Sequence, residues 1–301
     1  MEALASAASE LEPRPARPAR AGQGWRRGWY RFARNPTAVV GLAITILVIL
    51  IALLAPVIAP FPASAGNFVD FANMLKPPSW PHVFGTDNAG RDMLTRVLFG
   101  YRISLVLVAF VLAVGVPIGV VIGLVAGYYG GWVETVLMRL TDVFLSVPPL
   151  VMAMAITAVL SPNLFNAMIA VTSLWWTWHA RLVHGITASL KQEDYVDAAR
   201  LMGAGTWHIM IREILPNALS PVLVKLTLDA GFVILIGAGL SFLGLGVQPP
   251  QADLGTMVSA GVTDLPSSWW ETVFPGLAIV LAVLGFNLLG DGLRDLFDVD
   301  V

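Results

Sequence analysis

From Val143 to Ala180 the chain runs 38 residues without an Asp, Glu, Lys or Arg. A helix needs only about 20 apolar residues to cross the hydrocarbon core of a bilayer. The run is therefore too long for one crossing, and the Ser161-Pro162-Asn163 turn divides it into a tight helical hairpin. Four further apolar stretches reach span length. They are Val39–Ala59, Ile103–Gly127, a segment over 222–247, and one over 272–290. With the hairpin read as 143–160 and 164–181, the expectation is an all-α membrane protein of six spans. Composition agrees, since 56% of the 301 residues are hydrophobic and 13% charged. A soluble domain carries about 25% charged residues, so lipid must solvate part of this surface.

Charge placement sets the expected orientation. Seven arginines and no lysine fall within the first 34 residues. With six spans and the N-terminus inside, the inner segments hold 14 of the 18 basic residues. The outer segments hold only Lys76, Arg91, Arg96 and Arg102. Both termini are expected in the cytoplasm. Residues 1–36 form the N-terminal tail, and 37–301 the membrane domain. Within the tail, Trp25, Trp29 and Phe32 alternate with arginines over 25–34. That stripe suits a helix lying on an anionic membrane surface, or else a stiffened approach to the first span. Arginines before an apolar run and Ala63-Ser64-Ala65 also suggest a cleaved leader. A 21-residue core exceeds the 7–15 typical of leaders, which favours an uncleaved anchor.

Several chemistries are excluded or disfavoured. There is no cysteine, hence no disulfide or thiolate site. The lysines Lys76, Lys191 and Lys225 precede Pro77, Gln192 and Leu226, so no phosphate-binding Gly-Lys-Ser/Thr loop exists. His179 and His184 are five apart, off one helical face, and read as interfacial polar residues rather than metal ligands. Inside the spans Asp229 is the conspicuous ionisable group. It lies one turn from Lys225 and reads as half of a local ion pair, with a proton relay as the alternative. No catalytic residue, cofactor site or metal site is expected, and the basic residues point to topology, not nucleic acid.

Two patterns carry positive information. Gly115, Gly119, Gly123 and Gly127 repeat every four residues, a stripe that lets another helix approach closely, within this subunit or in a neighbour. The inner segment 182–221 reads as two short helices. One lies near Gln192–Met202; the other begins at a capping Thr206 and is limited by Pro216, with Gly203-Ala204-Gly205 between them. At the loop-side motifs, Thr86 or Asp87 is read as a helix cap, and Asp92 with Arg96 as a surface i, i+4 pair.

Asp197-Ala198-Ala199, three residues, Gly203, and then Leu215-Pro216 resemble the cytoplasmic Glu-Ala-Ala loop of ABC importer permeases. Asp197 stands for Glu, and Glu213 for the usual Ile, with Ile214 beside it. Phe84-Gly85-Thr86-Asp87, Gly90-Arg91-Asp92, Ala126–Gly131, Ser241–Gly246, Gln248-Pro249-Pro250 and Gly290–Asp295 resemble, in order, the second of the two permeases of the peptide/nickel class. Leu254 replaces that class's usual Trp before Gly255. The resemblance implies a permease pairing with a homologous but distinct permease in a bacterial inner membrane. Two cytosolic ATPases would hold the ATP and magnesium, one of them against Asp197, Ala198, Ala199, Gly203, Leu215 and Pro216. An extracytoplasmic binding protein would deliver a dipeptide, longer peptide, glutathione-like solute or nickel chelate. The alternative is an ion-coupled carrier acting alone.

Overall fold

The computed structural model describes residues 29–297. The tail over 1–24 and the first part of the expected interfacial helix, with Trp25, Arg26 and Arg27, lie outside them. Residues 29–34 are helical, with Phe32 buried and Trp29 and Tyr30 exposed. Among the described residues there is no β-strand beyond a single bridge between Thr86 and Asp92.

Helix α1 is Pro36–Ile58. Proline at its first position needs no hydrogen bond there, and Asn35 caps it by accepting from the Thr37 and Ala38 amides. Its buried residues are small or β-branched: Ala38, Gly41, Thr45, Val48, Ala52 and Ala55. Leu47, Leu50, Leu53 and Leu54 remain exposed, so the large apolar side chains face outward and the small ones meet protein. In water this arrangement would be inverted.

Helix α2, Met93–Tyr129, is 37 residues long and starts ten residues before the expected span, at a cap made by Asp92 to the Thr95 amide. Helices α3, Gly131–Leu145, and α4, Pro149–Leu160, meet at a bend of 84°. This corrects the single straight span expected over 143–160. Pro148 disfavours helical backbone at Val147, and Pro149 opens a new helix at its first position. Helix α5, Leu164–Leu190, begins after the Ser161–Asn163 turn and runs nine residues beyond the expected end.

After α6, Asp194–Leu201, one continuous helix, α7, runs from Thr206 to Phe242. The break expected at Pro216 is absent. Residues Ile209–Ile214 form a π-helical turn, which widens the backbone just where Pro216 would clash with the preceding carbonyls. Nor does Thr206 cap this helix; Gly205 occupies the cap position and makes no side-chain bond. The helix stops at Phe242, short of the expected Val247, and Gly244 then takes a positive φ of 77°. A short helix the sequence did not suggest, α8 (Leu254–Val262), precedes α9, Trp270–Phe297.

Among the described residues α1, α2, α7 and α9 are long and apolar enough to cross a membrane, and α3–α4 adds a fifth if the bent pair is one crossing. Helix α5 is long enough, but its tryptophans, threonines and His179 lower its apolarity. Burial explains that load, because Thr172, Thr177, Thr187 and His179 all lie inside the bundle. The Thr172 and Thr177 hydroxyls donate to the carbonyls of Met168 and Leu174 on their own helix, at 2.6 and 2.7 Å.

The bundle has two distinct ends. At one, the loop-rich end, the segments 59–92 and 243–269 gather. At the other, the elbow end, α6 lies with Asn35 of the α1 cap, whose side-chain amide donates to Asp295 of α9 at 2.9 Å.

Candidate functional site

Helix α6 is built to stop sharply. The Gly203 amide donates to the Arg200 carbonyl at 2.9 Å, and the Ala204 amide to the Ala199 carbonyl at 3.0 Å. These paired bonds close the helix with a left-handed residue, and Gly203 supplies it at φ +83°. Nothing lies within 4 Å of where a Gly203 Cβ would sit, so backbone conformation and not space demands glycine here.

The helix presents two faces. Val196 and Ala199 are buried and belong to the same core as Ile209 and Ile214 at the base of α7. Asp197, Ala198, Gly203 and Pro216 are exposed, and Leu215 is half-buried. Around them Leu201, Met202 and Trp207 are exposed as well, at 90, 82 and 63%. Together they make an exposed apolar patch rimmed by Asp197 and Arg200, the kind of surface that serves protein or membrane contact. Asp197 and Arg200 pair at 2.9 Å, but both are so exposed that the bridge adds only about 0.3–0.5 kcal/mol.

Two side-chain contacts fix α6 to the bundle, and a third fixes the link from α5 that leads into it. The Asn217 side-chain amide donates to the Tyr195 hydroxyl at 3.3 Å. The Arg200 guanidinium lies 5.7 Å from the centroid of Tyr128, near the end of α2. Beside it Lys191 donates to the Gly127 carbonyl at 2.8 Å. The elbow is thus held against α2 and α7 together.

Helices α2 and α5 pack backbone to backbone along the glycine stripe. A Cβ on Gly123 would come within 2.6 Å of the Ala180 carbonyl oxygen, and one on Gly127 within 2.8 Å of that of His184. At Gly119 it would strike the Trp176 carbonyl, and at Gly115 it would lie 3.2 Å from the Trp175 Cβ. The four glycines thus face α5 of their own chain.

At the loop-rich end the sequence motifs converge into a knot. Asp87 accepts from the Ala89 and Arg91 amides, each at 2.9 Å, and from Arg91 Nε at 2.8 Å. Arg96 Nε lies 3.4 Å from the same carboxylate. The Arg96 Nη atoms donate to the carbonyls of Ser64, Pro250 and Gln251, at 3.1, 3.2 and 3.4 Å. The expected surface pair of Asp92 with Arg96 is therefore wrong. Asp92 is fully buried, contacts His82 Nδ1 at 2.9 Å and caps α2, the role assigned to Thr86 or Asp87. Thr86 instead accepts from the Lys76 amide at 2.9 Å, and its carbonyl accepts from Trp270 Nε1 at 3.0 Å. Leu254, the departure from the family pattern, is fully buried against Gly100. Next to it Asp253 caps α8, and burial pushes its carboxyl above the usual range.

Within the spans Lys225 and Asp229 do pair, at 3.0 Å. What the sequence missed is that Asp229 also approaches His179 of α5, at 3.4 Å, so the pair bridges two helices. His184 contacts Glu134 of α3 at 2.7 Å. Among the described residues no cluster of three or more His, Asp or Glu could hold a metal.

The chain matches known proteins over most of its length. Residues 119–301 match the family described as binding-protein-dependent transport system inner membrane component. Residues 24–78 match the N-terminal transmembrane domain of oligopeptide transport permease C. Among similar proteins is a probable D,D-dipeptide transport system permease protein of Escherichia coli (strain K12), 41% identical over 88% of each chain. Others are glutathione transport system permease proteins. That of Pectobacterium atrosepticum is 42% identical and that of E. coli O6:K15:H31 43%, each over 91% of this chain and 90% of the relative. The chain therefore belongs to the family of binding-protein-dependent inner-membrane transport components, as a permease subunit of an ABC importer and not an enzyme.

Proposed function

We propose that this permease forms half of an import pathway for small peptides or glutathione-like solutes, moved by cytosolic ATPases that grip the α6 elbow. The observation that carries the reading is the exposed face of Asp197, Ala198 and Gly203, on a short helix whose opposite face, Val196 and Ala199, packs with Ile209 and Ile214 at the base of a membrane helix. The substrate class follows from the relatives, which are named for D,D-dipeptide and glutathione transport. The partners in this reading are a homologous but distinct permease, two ATPases that hold ATP and magnesium, and an extracytoplasmic binding protein. Neither the family nor the relatives give support to the ion-coupled alternative.

The same reading makes the elbow end cytoplasmic, with a tail over 1–36 and a coupling loop over 182–221. Six crossings are supported by the direction of each helix. Helix α1 starts beside Asp295 at the elbow end, and the Phe61 amide that follows it donates to Thr95 in the knot. Helix α2 returns to Lys191, α3–α4 goes out, α5 comes back, α7 goes out from the elbow, and α9 returns to Asn35. An even number leaves both ends of the membrane domain on the arginine-rich side.

Because α7 is continuous for 37 residues, or about 55 Å of helix, a push on α6 moves a membrane span as a lever. Asp197→Lys reverses an exposed charge, and Gly203→Leu puts a side chain on left-handed backbone at a local cost of about 1–3 kcal/mol. Both variants should remain in the membrane, yet lose ATPase co-purification and ATP-driven uptake. Gly203→Asn, which tolerates that backbone, should keep most of both. Normal coupling in the Lys and Leu variants would remove the elbow from the mechanism.

A further inference from the structure

A cavity of about 360 Å³ opens between the start of α4 and the facing sides of α5 and α7. Its walls are aromatic and aliphatic, from Trp175, Trp178, Phe232 and Ile236, and Lys225 and Asp229 stand at one corner. Small-ligand sites share this design, about 300–1,000 Å³ of mostly apolar wall with a few convergent polar groups. The corner also fixes what the cavity can face. A Lys225 ammonium that is one-fifth exposed, beside a buried carboxylate, would be expensive against lipid tails. The cavity therefore faces water or protein, which in a paired permease means the side where solute passes.

Two buried polar atoms of the lining residues have no hydrogen-bond partner. One is an acceptor, Asp229 Oδ2, whose nearest polar neighbour is His179 Nε2 at 3.4 Å, an ion-pair distance only when that ring is protonated. The other is a donor, the Trp175 indole nitrogen. An unmade bond on a buried group costs about 1–3 kcal/mol, so each gains from a ligand that completes it.

We propose that this cavity is a solute-binding subsite of the permease itself, taking both the ammonium and the carboxylate of a zwitterionic dipeptide or amino acid with an apolar side chain. Lys225 and the Trp175 indole take the carboxylate, Asp229 takes the ammonium, and the side chain lies against Trp178 and Phe232. A zwitterion can exchange with the internal Lys225–Asp229 pair one charge at a time, so that no buried charge is left bare. A solute with one charge cannot, and that difference gives selectivity without tight binding. The peptide-import reading underlies this proposal.

The chain has no cysteine, so Phe232→Cys, at a half-exposed position, places a single thiol of this subunit on the cavity wall. The complete transporter would be treated with a charged, membrane-impermeant maleimide and alkylation read on this subunit by mass spectrometry. The probes are alanyl-phenylalanine and its C-terminal amide, with uptake of the free peptide measured in parallel. The thiol should be reactive. At about four times its half-saturating concentration the free peptide should slow alkylation about fivefold, as mass action requires, and the amide should not. Lys225→Gln should abolish protection, each rate with peptide being compared with that of the same variant without it. The doubly neutral K225Q/D229N variant leaves no bare charge to unfold the subunit and should behave the same way. A thiol that the charged reagent never reaches, or equal protection by peptide and amide, would overturn the subsite. Uptake of the peptide without protection removes this proposal alone, whereas absence of uptake of this peptide, of a D,D-dipeptide and of glutathione alike removes the peptide reading as well.

Discussion

Replacing Arg96 with methionine is expected to destabilise the subunit by about 3–5 kcal/mol, the scale measured when one partner of a buried ionic network is removed. The side chain is 3% exposed and joins three segments far apart in sequence, at Ser64, Asp87 and Pro250–Gln251. Methionine fills much of the volume but leaves Asp87 and three carbonyls short of a donor. Lysine restores the charge without the planar fork and should recover only part of the loss. Arg102→Met, at an exposed position on the same helix, should stay within about 0.5 kcal/mol of the parent. Thermal unfolding of the purified transporter, with the fraction of monodisperse complex, separates these outcomes. An R96M subunit as stable as R102M would mean that the knot holds without its clamp.

The second large effect is expected at the α2–α5 contact. Overpacking a membrane interior costs about 1–3 kcal/mol when side chains can yield. At Gly119 and Gly123 the obstructing atoms are backbone carbonyls of Trp176 and Ala180, which cannot rotate away. Gly119→Leu and Gly123→Leu should each exceed that range and cut the yield of assembled subunit severely, and alanine at either position should already be harmful. Gly276→Ala in α9 and Gly185→Ala in α5 meet nothing within 4 Å. They should be neutral, or stabilising by about 0.4–1 kcal/mol through the unfolded chain. Yield and unfolding temperature in detergent would report the difference. Tolerance of leucine at Gly119 would show that the two helices can separate, contrary to the packing described.

The membrane character of the chain and the turn at Ser161–Asn163 were legible because hydropathy and proline act locally. So were the helix stop at Gly203 and the Lys225–Asp229 pair, one turn apart on one helix. The bend between α3 and α4 was missed although Pro148-Pro149 stood in plain view, since an uncharged run conceals where its helix turns. Pro216 misled in the opposite direction. A proline normally ends a helix, and only the widened turn over 209–214 lets α7 pass through it. The partners of Arg96, the second contact of Asp229 and the cavity beside it all depend on residues distant in sequence. One sequence has no periodicity that records such meetings. The glycine stripe announced a close approach but not its partner, because a gap left by four missing side chains looks the same from within α2 whichever helix fills it.

Helix α2 begins in the Asp92 cap of the knot and ends beside Arg200 of the elbow. One hydrogen-bonded rod thus touches both the place where delivered solute would arrive and the place where nucleotide energy would enter. Two ligands that bias the same rigid body must influence each other equally in free energy. If partners of the proposed importer dock at these two ends, whatever factor one changes in the other's affinity must be returned in full.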